Sequence, residues 1–193
     1  FNDETGIPTI GIPGSIDNDI PGTDFSIGFD TAINTALEAI DKIRDTAISH
    51  GRLFFVEVMG RSSDLIAIES GIAGGAEYLV LPGDHDAIMD LCARLTDAFS
   101  AGKRYAIVVV AEGERPGCSF EISKKVSEQI DIESRVVVLG HIQRGGSPTA
   151  RDRVLAAKLG VSAVYAYTKG HAGVMVGELR RSVVLTPFDK VIT

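Results

Sequence analysis

The sequence has no tryptophan, only two cysteines, and no apolar run close to the roughly 20 residues that a bilayer-spanning helix needs. Cys92 and Cys118 are too few and too far apart for a disulfide framework or a zinc knuckle, which points to a reducing compartment, by default the cytoplasm. Positive charge is also short, with 19 Lys and Arg against 26 Asp and Glu and a formal net charge of -7. The overall field therefore repels phosphate. That disfavours sequence-blind nucleic-acid binding and means that an anionic ligand must be held by locally clustered Arg. No fixed-period repeat, low-complexity tract or Pro/Ser-rich linker interrupts the 193 residues, of which 45% are hydrophobic, a composition for one to two globular domains with a real core. The chain opens at Phe1 without the pattern of a signal peptide, and reads as a soluble excerpt of something longer.

Short aliphatic runs at 8–12, 53–59, 78–81, 106–111, 136–139 and 174–176 alternate with longer amphipathic segments. The runs are β-branched and continuous, which predicts strands buried on both faces. Ile33, Leu37, Ile40, Ile43 and Ala47 recur at helical spacing and predict a helix. Further helices are expected at about 64–73, 86–99, 121–129 and 149–168, the last with Ser147 as N-cap and Pro148 in its first turn. Alternating strands and helices of this length mean right-handed βαβ units, hence an α/β fold with mostly parallel sheets and flanking helices. The glycine-bearing turns at Gly22–Gly28 and Gly140–Gly146 are where the chain would cross between lobes.

In a parallel sheet the carboxyl ends of the strands share one edge, and ligands bind there. Most of the runs end in glycine and polar residues: Pro13-Gly14-Ser15-Ile16-Asp17-Asn18-Asp19, Gly60-Arg61-Ser62-Ser63, Glu112-Gly113-Glu114-Arg115 and Gly140-His141-Ile142-Gln143-Arg144-Gly145-Gly146. By itself an Asp-Asn-Asp is best read as an Asx-turn. In this company, Asp17 and Asp19 on one extended loop can divide labour, one accepting a hydroxyl proton and the other holding hydrated Mg2+. Met59-Gly60-Arg61 is either a core methionine with a snorkelling arginine or a close backbone approach beside a guanidinium that fits phosphate or sugar oxygens. His141 and Arg144 stand before a predicted helix N-terminus, a setting that favours an anion such as phosphate. His50, His85 and His171 lack metal-ligand spacing, so a zinc site is not expected. Arg52 and Arg135 precede their runs and belong at the opposite sheet edge, on the order of 15 to 20 Å away. They are either ordinary surface arginines or serve a neighbouring subunit across a symmetric interface.

The motifs Pro13–Asp19, Val56–Arg61 and Leu139–Pro148, with Ile72-Ala73-Gly74-Gly75-Ala76-Glu77, occur in order and at separations that closely resemble the middle and later part of the bacterial-type 6-phosphofructokinases. The resemblance covers nearly the whole chain and implies two Rossmann-like lobes of three layers, αβα. Residues 1–27 and 141–193 would be parts of a nucleotide-binding lobe, and 28–140 the fructose 6-phosphate lobe. It implies transfer of a phosphoryl group from ATP to the 1-hydroxyl of fructose 6-phosphate in glycolysis. Asp17 would be the base, Ser15 a hydroxyl donor to the moving group and Asp19 the carboxylate near Mg2+. Met59, Gly60, Arg61, Glu112, His141 and Arg144 match the sugar-phosphate pocket, with Arg61 also catalytic. Arg52 and Arg135 match arginines supplied to an adjacent subunit, which implies a homo-oligomer, commonly a tetramer. Arg44, Gly75, Glu77 and Lys103 match positions of an allosteric nucleotide site, although Ala101 and Tyr105 replace basic residues common there.

Gly14 is small where pyrophosphate-using members carry Lys, and so resembles the ATP branch. Asp64 replaces a usual Gly. The family's amino-terminal Gly-Gly-Asp-Gly-Ser nucleotide motif does not occur. A pyrophosphate-dependent enzyme and a non-catalytic sugar-phosphate-sensing homologue are the alternatives.

Overall fold

The computed structural model describes residues 6–82 and 87–191; His85, and Asp86 at the start of one expected helix, lie outside them. The chain divides into two compact units, one of residues 1–31 with 147–193 and one of residues 32–146. The division thus falls at 31/32 and 146/147, a few residues beyond the expected boundaries at 27/28 and 140/141.

The second unit is built on a four-stranded parallel sheet of order β5-β6-β4-β7, made of β4 (Leu53–Val58), β5 (Tyr78–Val80), β6 (Ala106–Ala111) and β7 (Ser134–Val138). β4 and β6 lie in the middle, and every residue of both is buried, which is why their sequences are continuous rather than alternating. Most of helix α1 (Phe29–His50) belongs here and buries Ala32, Ala36, Ile40 and Ala47 at helical spacing. Helix α2 (Leu65–Ala73) packs on β5 and β6, and α4 (Cys118–Ser127) on β4 and β7, with α3 (Ala87–Ser100) beside α4. Leu53, Phe55, Val80, Leu91, Leu95, Val108 and Val110 form the core between them. Each such buried aliphatic or aromatic side chain contributes about 1.5–3 kcal/mol.

One charge is built into this core. Glu57, in the middle of β4, is 1% exposed. Its carboxylate accepts hydrogen bonds from the Gly117 N–H (2.6 Å), the Ser119 N–H (2.9 Å) and the Ser119 hydroxyl (2.6 Å). It therefore satisfies the open donors at the start of α4, whose N-cap Gly117 has no side chain to do so. The same arrangement governs Cys118. Burial first, and the Glu57 charge beside it, push its thiol up to about 11. A thiol that keeps its proton more tightly when folded leaves stability at its full value below about pH 9, and that stability is lost as pH rises toward 11. Alkylation of native protein by iodoacetamide at pH 8 should find Cys118 about 100-fold less reactive than an ordinary cysteine, because thiolate is the nucleophile. Reaction at the ordinary rate would overturn this.

The first unit holds β1 (Ile10–Gly11), β2 (Gly14–Ser15), β3 (Ile27–Gly28), α5 (Ala150–Thr168), β8 (Val174–Leu179) and β9 (Ser182–Pro187). β1 and β8 are parallel and β8-β9 is an antiparallel hairpin, while β2 and β3 form a separate parallel pair. The hairpin was not expected from the sequence. Its two-residue turn puts Arg180 and Arg181 at φ +49° and +66°, a conformation usually left to Asn and Gly. Leu155, Leu159, Ala166 and Val176 make a small core with Ile10, Phe25 and Ile27. The opposite face of α5 leaves Val154, Val161, Val164 and Tyr165 exposed.

The N-cap of α5 is Thr149, not Ser147. The Thr149 hydroxyl oxygen accepts from the Asp152 N–H at 3.2 Å, and Pro148 precedes the cap instead of opening the first turn. Asp152, 3% exposed, in turn accepts from the backbone of Gly28 (3.1 Å) and Thr31 (2.9 Å) and from the Thr31 hydroxyl, fastening the end of β3 and the start of α1. Among the described residues, no helix is long and apolar enough to cross a membrane.

Candidate active site

The strand order places the carboxyl ends of β6, β4 and β7 side by side, so the loops after Ala111, Val58 and Val138 are neighbours although they are far apart in sequence. Met59, Arg61, Glu112, His141 and Arg144 line one cavity of about 590 Å³ there. Gly60 lies in the same turn. Its φ of +154° and the 2.4 Å at which an added Cβ would meet the Ser63 carbonyl leave room for glycine alone. Arg61 follows at φ +49°, an uncommon conformation for a residue with a side chain.

Glu112, 6% exposed, accepts on Oε1 from the N–H groups of Gly60 (3.3 Å) and Arg61 (3.4 Å), which leaves its second oxygen for a ligand. His141 and Arg144 lie three residues apart on a 3-10 turn, Gly140–Arg144, so their side chains are eclipsed on one face. Both are exposed, and neither has an acidic partner among the described residues. This cavity can take an anion against Arg61, His141 and Arg144 and hydroxyl groups against Glu112. Asp64 adopts φ -85° and ψ -5°, which any residue tolerates, so the turn does not require the Gly usual in the family the sequence resembles.

Ser15, Asp17 and Asp19 belong to the other unit. The Ser15 hydroxyl oxygen accepts from the Asp17 N–H at 3.1 Å, so its own hydrogen is free to be donated elsewhere. The loop is fixed by a residue to which sequence reasoning gave no role of its own. Asn18, at φ +53°, accepts from the Ser26 N–H (2.7 Å) and hydroxyl (3.2 Å) and donates to the Asp24 carbonyl (3.0 Å). The middle residue of Asp-Asn-Asp is thus an anchor, with Asp17 half-buried and Asp19 exposed on either side.

No group of three or more His, Cys, Asp or Glu that could enclose a metal occurs among the described residues. Asp19 does suit Mg2+, which keeps most of its water and takes one or two carboxylates together with substrate phosphates.

Arg52 and Arg135 come together at the amino edge of the second unit's sheet, at opposite strand ends from the cavity. Arg52 meets Glu133 at 2.9 Å and Arg135 pairs with the other oxygen of the same carboxylate. The Arg52 hydrogen bond holds Glu133 below the usual carboxylate range, and Arg135 adds to the pull. Arg44, Gly75, Glu77 and Lys103 gather around the turn between α2 and β5. Arg44 donates to the carbonyls of Gly74 and Gly75, the latter at 3.1 Å, and Lys103 pairs with Glu77 at 2.8 Å. An anionic effector would have to compete with these internal partners.

The phosphofructokinase family model matches residues 1–167. The chain belongs to the phosphofructokinase family. It is 53% identical over 190 residues to ATP-dependent 6-phosphofructokinase 1 of Thermus thermophilus, covering 98% of this chain and 59% of that relative. It therefore spans about three-fifths of that phosphofructokinase's length. Among solved structures it matches phosphofructokinase from Saccharomyces cerevisiae with a TM-score of 0.89 and 34% identity, over 96% of this chain and 26% of the other. It also matches the pyrophosphate-dependent phosphofructokinase from Marinobacter aquaeolei with a TM-score of 0.79 and 26% identity, over 100% of this chain and 55% of the other. These likenesses agree with the mostly parallel α/β architecture expected from strand and helix alternation.

Proposed function

We propose that this chain carries the sugar side and the catalytic carboxylate of an ATP-dependent 6-phosphofructokinase, which moves a phosphoryl group from ATP to the 1-hydroxyl of fructose 6-phosphate, a step of glycolysis in the cytoplasm. The observation that carries the reading is the single cavity lined by Met59, Arg61, Glu112, His141 and Arg144. Arg61 and the eclipsed His141 and Arg144 suit a phosphate, and the free oxygen of Glu112 suits sugar hydroxyls. Asp17 takes the proton of the 1-hydroxyl, and the free hydrogen of Ser15 is donated to the moving group. Such a transfer asks the protein mainly for positioning and charge neutralisation. Mg2+, when bound, would offset phosphate charge, and Asp19 is the residue that would hold it. Arg52 and Arg135 would serve a neighbouring copy in a homo-oligomer, commonly a tetramer.

Preference for ATP is supported by the named activity of the relative that is 53% identical and by Gly14. Among the described residues an added Cβ there would meet nothing within 4 Å, so packing does not force the residue to be small. The presence of Asp17, Asp19 and Arg61 together argues against a purely sensing homologue. A coupled assay for fructose 1,6-bisphosphate on the complete protein, run with ATP and in parallel with pyrophosphate, tests this. Product with ATP alone is expected. Product with pyrophosphate alone would overturn the donor assignment, and product with neither would overturn the enzyme reading.

A further inference from the structure

Beyond the end of β4 three successive N–H groups, of Met59, Gly60 and Arg61, are bonded by side chains rather than by a strand partner. Gln143 Oε1 accepts from Met59 at 2.8 Å, while Gly60 and Arg61 share one Glu112 oxygen at 3.3 and 3.4 Å. The short bond is therefore the one made by Gln143. The turn it holds is strained at Arg61, φ +49°, and such conformations persist only where the surroundings over-determine them.

Gln143 is 1% exposed, and its Nε2 is buried with no hydrogen-bond partner among the described residues. A side chain kept for packing alone would be apolar, because an unpaired buried amide nitrogen is costly. The value of this residue therefore lies at its oxygen end. It also sits between His141 and Arg144 in sequence, buried while they line the cavity, so one bond ties the two cavity-lining turns together.

We infer that Gln143 is a positioning residue for the sugar-phosphate cavity: its side-chain carbonyl clamps the Met59–Arg61 turn to the Gly140–Arg144 turn and so fixes Arg61 relative to His141 and Arg144. The inference rests on the reading of that cavity as a fructose 6-phosphate site. The clamp leaves Glu112 free to engage a sugar hydroxyl without releasing the turn.

Equilibrium binding of fructose 6-phosphate and, separately, of ATP to the complete protein tests the clamp. Gln143→Met, close in shape but without the acceptor, is expected to weaken fructose 6-phosphate at least 10-fold and to leave ATP within 2-fold. Gln143→Glu, which keeps an oxygen able to accept from the Met59 N–H, should retain fructose 6-phosphate affinity within about 3-fold. Wild-type affinity for fructose 6-phosphate in Gln143→Met would overturn the clamp, as would an equal loss for ATP or an equal loss in Gln143→Glu. If the unaltered protein fails to bind fructose 6-phosphate, it is the reading of the cavity that falls, and the clamp with it.

Discussion

Replacing Asp17 by Asn is expected to lower turnover of fructose 6-phosphate by about 1,000-fold, the middle of the range for loss of a general base, with sugar binding changed only a few-fold. Asn cannot accept the proton but has nearly the same shape. The loop should also survive the change, because Asn18 binds Ser26 and Asp24, and Ser15 accepts from the backbone of residue 17. Steady-state rates with saturating ATP, together with direct titration of the sugar phosphate, separate the two effects. Turnover equal to that of the unaltered protein would remove Asp17 from the chemistry.

The largest loss of stability should come from Glu57→Ala. The change empties a fully buried position and strands the N–H groups of Gly117 and Ser119 and the Ser119 hydroxyl, three donors at the start of α4. Orphaned buried donors and a cavity together place the cost at about 3–5 kcal/mol. For a chain of this length that is a fall of roughly 6–20 °C in Tm. Glu57→Gln, which keeps one acceptor oxygen, should fall between. A thermal melt of Glu57→Ala within about 2 °C of the unaltered protein would show that water or a rearranged α4 satisfies these donors.

Much of the fold was readable because local periodicity reports burial directly. The continuous runs at 53–59 and 106–111 became the two central strands, and Ile40 and Ala47 became the buried stripe of α1. β2 and β3 were missed because two-residue strands carry no period. β9 was missed because the turn before it is Arg180-Arg181, without the Asn or Gly that marks a two-residue hairpin in sequence. Ser147 before Pro148 predicts the cap of α5 two residues early, and only the Asp152 N–H, which donates to the Thr149 hydroxyl oxygen, places it at Thr149.

The residues that line the candidate cavity were legible for a different reason. Polar residues following an aliphatic run mark the ligand-binding edge of a parallel sheet, and that rule found the turns at Gly60–Arg61, Glu112 and His141–Arg144. Gln143 and Asn18 stand inside these segments with no legible role, because an amide inside a polar segment looks the same whether it faces water or a buried N–H.

From the sequence alone came the alternation of elements, the strand ends that carry charge, and the absence of a surplus of positive charge. These are properties of neighbouring residues, and the chain fixes them before it folds. Tertiary structure alone decided that β4 lies between β6 and β7, which brings Arg61, Glu112 and Arg144 to one cavity, and that Glu57, Gln143 and Asp152 each meet donors distant in the chain. Strand order and side-chain direction depend on how whole elements share a core, and no local spacing encodes that.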